Sequence, residues 1–234
     1  MIDSIALGSR LSSVRERIAR AASRAKRDPA AVRLIAVSKT FSADHIRAAA
    51  DAGQLDFGEN KVQEGLAKIA ETSDLPLRWH LIGHLQSNKV KQAVVFHAID
   101  SIDGSALLQK VETAATQAGR MVEVLIQVDL ADEATKYGIP PEGLGAVLDV
   151  ANACKAVRLK GLMLLPPAVD DPEDARPYFS ALRTLRDELV GQGRNPSTLA
   201  ELSMGMSHDF EIAVEEGATM VRVGSAIFGP REYL

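Results

Sequence analysis

Short apolar runs alternate with stretches of helical period along almost the whole chain. The strand-like runs are Val32–Ser38, Leu55–Gly58, Arg78–Gly83, Ala98–Ile102, Val122–Leu130, Leu159–Leu165, Leu199–Leu202 and Met220–Val223. Several are apolar at successive positions, as parallel strands covered on both faces are. Between them lie helical stripes. Leu107, Leu108, Val111, Ala114, Ala115 and Ala118 form one, with Asp103 as N-cap and Gly119 as stop. Leu144, Val147, Leu148 and Ala151 form another behind Pro140–Pro141, and Tyr178, Leu182, Leu185 and Leu189 a third. Phe210, Ala213 and Val214 repeat the pattern between Ser207 and Gly217. About eight strands alternating with helices in 234 residues predict a (β/α)8 TIM barrel, with a doubly wound open sheet as the alternative. Nothing resembling a linker or an internal repeat divides the chain, so residues 1–234 read as a single domain. Pro166–Pro167 and the acidic stretch from Asp170 to Asp174 read as a loop.

An extra helix is expected before the first strand. Leu7, Leu11, Val14, Ile18 and Ala22 give it an apolar stripe, and Arg10, Arg15, Arg17, Arg20, Arg24, Lys26 and Arg27 face Glu16 alone. A structural helix with a solvated basic face is the favoured reading. A transit peptide, or a weak anionic partner at this face, is the other. Elsewhere charge is unremarkable: the net charge of −4 does not suit a nucleic-acid binder. The apolar runs are too short and broken to span a membrane. The single cysteine, Cys154, cannot form an internal disulfide and reads as a small buried hydrophobe, which fits a reducing cytoplasm.

In such a barrel the active site lies at the C-terminal ends of the strands. That rule gathers Lys39, Gly58-Glu59-Asn60, Gly83-His84, Lys136, Met163, Ser203-Met204-Gly205-Met206-Ser207 and Gly224-Ser225 onto one rim. "LSMGMSHDFEIA" and "VRVGSAIFG" combine glycines, serines and helix starts after the seventh and eighth strands, where barrels often hold a phosphate. Ordinary turns and N-caps explain the same residues equally well.

Lys39 shares a strand face with Ile35 and Val37, the expected barrel interior. A partly desolvated lysine is a better amine nucleophile. An amine beside a phosphate site suits a phosphorylated aldehyde or ketone held as a Schiff base. Pyridoxal 5'-phosphate (PLP) proteins and cofactor-free aldolases both meet that description. His80 and His84 are four apart, but on a strand and turn without an acidic third ligand they do not predict a metal site. Glu215–Glu216 read as a solvated helix end.

"AVSKT", "FGEN..QE", "WHLIGHLQSNK", "GLM" followed by "PP", and "LSMGMSHDFEIAVEEGATMVRVGSAIFG" together resemble the YggS/PROSC family of PLP-binding proteins, from about Leu34 to Gly229. The resemblance implies a barrel similar to the N-terminal domain of alanine racemase and a role in vitamin B6 homeostasis without an established catalytic activity. It implies that Lys39 forms the Schiff base and that Asn60 lies beside the cofactor ring. Ser207, Gly224 and Ser225 would cradle the phosphate, with Ser203, Met204 and Met206 on the turn. Arg222 would stand near the pyridine nitrogen, Met163 nearby, and His80, Lys136 and Tyr137 at the pocket mouth. Lys61, Thr135 and Ser225 stand where tyrosine, serine and threonine are common in the family.

Two functional expectations follow. The favoured one is a monomeric PLP carrier that holds the cofactor and supplies it to apo-enzymes. The alternative is a weak PLP-dependent amino-acid racemase. Racemisation needs an acid/base on each face of the substrate; Lys39 can serve one, and Tyr137 is the one candidate for the other.

Overall fold

Eight parallel strands close on themselves. They are β1 (Arg33–Val37), β2 (Asp56–Glu59), β3 (Arg78–Leu81), β4 (Ala98–Ile102), β5 (Val122–Val128), β6 (Val157–Leu164), β7 (Glu201–Ser203) and β8 (Met220–Val223). Each pairs with the next, and β8 returns to β1 through Arg33 opposite Met220 to Ala36 opposite Val223. The closure decides against the open sheet, and each strand-like run of the sequence overlaps one strand. The structure, a computed structural model, describes residues 3–131 and 137–230; Thr135, Lys136 and Tyr233 lie outside the described residues.

Helix α1 (Ser4–Arg24) precedes the barrel. A helix then follows every strand: α2 (Ala43–Asp51), α3 (Val62–Glu71), α4 (Val90–Ala93), α5 (Ser105–Gln117), α6 (Leu144–Ala153), α7 (Arg176–Gly191), α8 (Phe210–Glu215) and the single turn α9 (Ser225–Phe228). Among the described residues no helix is long and apolar enough to cross a membrane.

Strand periodicity divides the side chains between two cores. Leu34, Ala36, Phe57, Trp79, Ile99, Leu162, Leu202 and Val221 pack outward against the helices. Ile35, Leu125, Met163 and Met220 meet in a separate apolar cluster, filling the barrel from β1, β5, β6 and β8. Asp56, His80 and Asp100 alternate with the outward residues on β2, β3 and β4 and are buried as well. His80 lies 3.4 Å from Asp56 and 3.3 Å from Asp100. Burial alone would discharge the imidazole, but Asp100 and Asp56 outweigh it and raise His80 to about 9.

The basic face of α1 is mostly exposed, as expected, and its arginines also make defined contacts. The helix's stripe of Leu7, Leu11, Val14 and Ile18 is buried, each worth about 1.5–3 kcal/mol relative to exposure. Arg10 donates to the Ile227 carbonyl, Arg15 to the Ala52 and Gly53 carbonyls, and Arg27 to the Val214 and Ala218 carbonyls. Arg17 pairs with Glu211 at 2.7 Å and lies over the Phe210 ring. Arg24 pairs with Glu215 at 2.7 Å. Much of the positive charge thus satisfies carbonyls at the ends of α2, α8 and α9 and the acidic side of α8. Glu215 and Glu216 are not a solvated end. Arg176 bridges both at 2.8 and 2.9 Å, and Arg183 reaches Glu216 at 3.0 Å. Asp103 is not the cap of α5: Gly104 takes that position, and Asp103 turns to His84. Cys154 closes α6, half-buried, with its thiol on the Val150 carbonyl.

Candidate functional site

The C-terminal ends of the strands surround a cavity of about 600 Å³. Of the residues expected there, Lys39, Asn60, Tyr137, Met206, Ser207, Arg222, Gly224 and Ser225 line it. A recess of about 730 Å³ between α1 and α2, with mixed polar walls, lacks this convergence.

Lys39 stands two residues beyond β1 on a short turn closed by the Phe41 N–H donating to the Ser38 carbonyl. Its neighbours are clamped from behind. The Ser38 hydroxyl donates to Glu59 at 2.6 Å, and the Thr40 N–H donates to Glu64 at 2.6 Å. Lys68 joins them, its ammonium 2.7 Å from Glu59, 2.7 Å from Glu64 and 2.8 Å from the Ser38 carbonyl. Thr40 has φ +72°, a left-handed conformation that costs a β-branched residue about 1–3 kcal/mol. Such strain persists only where the surroundings impose it.

On the opposite wall the loops after β7 and β8 meet. The Gly224 N–H donates to the Ser207 hydroxyl at 3.1 Å, and Gly224 caps α9, whose first turn presents amides without intrahelical acceptors. The turn before Ser207 depends on Gly205, at φ +92°, where a Cβ would stand 2.5 Å from that of Ala213. Asp209 accepts the Met206 N–H, and His208 donates to the Asp170 carbonyl at 3.1 Å, tying this turn to the loop after β6.

Arg222 is 3% exposed at the cavity floor. It donates to the Ser203 hydroxyl at 2.7 Å and the Leu164 carbonyl at 2.8 Å. Burial pulls the guanidinium down to about 10, with Asp100 and Asp209 opposing, so it remains a cation at neutral pH.

Four expected site residues, Met163, Met204, His80 and Ser203, do not line the cavity. Met163 fills the barrel interior, one inward step along β6 from Leu165, which does line the cavity. Met204 points outward into the helix-facing core. His80 is not at the mouth; it is 1% exposed between its two aspartates. Ser203 is buried and acts through Arg222. His84 takes the mouth instead. Its ring stacks on Tyr137, with centroids 3.6 Å apart and planes 11° apart, while Nδ1 lies 3.2 Å from Asp103. The Gln127 amide donates to the Tyr137 carbonyl and holds that segment over the rim. Gln127 and Leu165 carried no signal in the sequence, and His208, inside the motif after the seventh strand, was given no role. The inward-facing position nearest each strand's C-terminal end is the rule that finds the first two. Gly83 is needed for packing: a Cβ there would stand 2.2 Å from the Asn60 carbonyl. Among the described residues no group of three or more His, Cys, Asp and Glu side chains could hold a metal ion.

A lysine after β1, an arginine on β8 and serines and a glycine on the loops after β7 and β8 converge at the C-terminal mouth of a closed (β/α)8 barrel. Residues 9–232 match the family model described as "Alanine racemase, N-terminal domain", and the chain belongs to that family, in the YggS/PROSC group whose motifs it carries. The chain is 44% identical over 228 residues to a pyridoxal phosphate homeostasis protein of Aquifex aeolicus, covering 96% of this chain and 98% of that one. It is 42% identical to PipY of Synechococcus elongatus PCC7942, a structure solved with PLP bound, with a TM-score of 0.84, covering 95% of this chain and all of that one. Alanine racemase of Clostridium difficile 630 shares the fold at TM-score 0.73 and 14% identity; the match covers 97% of this chain and 57% of the enzyme.

Proposed function

We propose that this protein is a single-domain PLP-binding protein of vitamin B6 homeostasis, which holds the cofactor and supplies it to apo-enzymes. The observation that carries the reading is convergence. One cavity of about 600 Å³ is lined by an amine on β1's turn, a buried guanidinium on β8, and two serines with a glycine amide on the last two loops. The donor set suits PLP, which combines an aldehyde, a pyridine ring and a phosphate. Lys39 is the amine that condenses with the aldehyde, releasing water. Ser207, Ser225 and the backbone at Gly224 take the phosphate, and Asn60 borders the ring. Arg222, a donor that remains a cation, would stand against the ring nitrogen and disfavour its protonation. When bound, the cofactor supplies an electron sink. The relatives' names and the PLP-bound neighbour support the same cofactor.

We assign a monomer working in a reducing cytoplasm, consistent with the lone cysteine. The racemase reading keeps one observation in its favour: Tyr137 lines the same cavity as Lys39. The absorbance spectrum of the purified, PLP-loaded protein tests the main reading. A yellow band that bleaches with borohydride is expected; a spectrum that is the sum of protein and free PLP would overturn it.

A further inference from the structure

The geometry points to Glu59, Lys68 and Glu64 as positioning residues that aim Lys39 into the cavity by fixing the backbone on both sides of it. The inference rests on the reading of Lys39 as the amine that bonds PLP.

None of the three lines the cavity. They sit behind it, on β2 and α3, and their partners are the residues that flank Lys39. Ser38 is held twice, its hydroxyl by Glu59 and its carbonyl by Lys68. Thr40 is held by Glu64 through its N–H. Lys68 is the hub, with one ammonium shared between two carboxylates and a carbonyl, all within 2.8 Å. Lys68 is 6% exposed and Glu59 fully buried.

A stability role alone does not account for this arrangement. Among the described residues Glu59 Oε2 is the one buried side-chain polar atom without a hydrogen-bond partner, so the network is not built for full satisfaction. Thr40 is left-handed, next to the reactive lysine. Strain imposed by a buried charge network beside a functional side chain is how a site fixes a reacting atom before its ligand arrives. Burial pushes the Glu59 carboxyl up despite Lys68 and Ser38. Burial acts on Glu64 too, but Lys68 and the Thr40 N–H hold it below the usual range. Lys68 stands 2.7 Å from each carboxylate, so one ammonium ties the group that holds Ser38 to the group that grips Thr40.

The test measures two properties of Lys68→Met and Glu64→Leu beside the wild type. One is the rate of Lys39 bonding to PLP, followed by absorbance and confirmed by borohydride trapping and peptide mapping. The other is affinity for pyridoxine 5'-phosphate, which has the ring and phosphate but no aldehyde. Both variants should bond PLP about ten- to a hundredfold more slowly, as misplacing a reacting group does, with pyridoxine 5'-phosphate affinity within about twofold of wild type. Wild-type bonding rates in both variants would overturn the inference, as would an equal loss of pyridoxine 5'-phosphate affinity, which marks general damage to the pocket. Should Lys68→Met fail to fold, Glu64→Leu, which removes the Thr40 acceptor at a half-buried position, decides alone. A wild type that gives no adduct on Lys39 refutes the parent reading instead, and is recognised before any variant is compared.

Discussion

Ser207 accepts the Gly224 N–H at 3.1 Å, and this bond joins the loop after β7 to the loop after β8. The two loops are remote in sequence, and the cradle exists only while they are in register. Ser207→Ala removes both the clamp and a hydroxyl for the phosphate. A hydrogen bond to a charged group is worth about 1.5–3 kcal/mol, so PLP affinity should fall by about one to two powers of ten. Fluorescence titration checks this. Pyridoxal, which lacks the phosphate, should bind the wild type poorly; equal affinity for pyridoxal and PLP would show that the cradle is misassigned.

Lys39 is the second test. Borohydride reduction of the loaded protein should place the label on the peptide containing Lys39. Lys39→Ala should lose the label and the yellow band while keeping part of its PLP affinity through Ser207, Ser225 and Arg222. A label confined to another lysine would refute the assignment.

His80 predicts a pH dependence of stability. Its folded value is raised to about 9 from the ordinary 6.5 by Asp100 and Asp56, against the opposing effect of burial. The stabilisation is therefore fully present below about pH 6.5 and is lost as pH rises through 9, amounting to at most about 3 kcal/mol. Urea unfolding between pH 6 and 10 should show the wild type weakening across this window, while His80→Gln, less stable at pH 6, stays flatter. Parallel curves would mean that His80 is neutral in the fold.

Carrier and racemase differ in turnover. A general acid or base typically contributes about a hundred- to ten-thousand-fold, and Tyr137, stacked on His84, is placed as a wall of the cavity. The loaded protein should leave single-enantiomer alanine and serine unchanged by chiral chromatography, yet restore activity to apo-forms of unrelated PLP enzymes. Saturable racemisation abolished by both Lys39→Ala and Tyr137→Phe would reverse this conclusion.

Much of the site was legible because the strand-end rule needs only strand positions. Lys39, Asn60, Ser207 and Gly224 each follow an apolar run at short range, so local pattern places them on the rim. His80 was misplaced because alternation puts it on the inward face without saying how deep along the strand it lies. Its neighbour four residues on, His84, sits past the strand end and reaches the mouth. Met204 was misplaced for the complementary reason: one step along β7 separates inward Ser203 from the outward side, and a motif does not record that alternation.

By itself the sequence determined the eight strand runs, the first helix and four of those between strands, many of the rim residues and the family, because all of these are written in periodicity, turn chemistry and contiguous motifs. Only the tertiary structure decided that the arginines of α1 dock onto the ends of α2, α8 and α9, that Glu215 and Glu216 are bound by Arg176, and that Lys68 and Glu64 hold the residues on either side of Lys39. Those pairings join residues far apart along the chain. The contacts of α1 with α8 and α9 depend on barrel closure bringing the two ends of the sequence together, the others on the packing of neighbouring elements, and a charge in a one-dimensional string carries no sign of whether water or a buried partner will meet it.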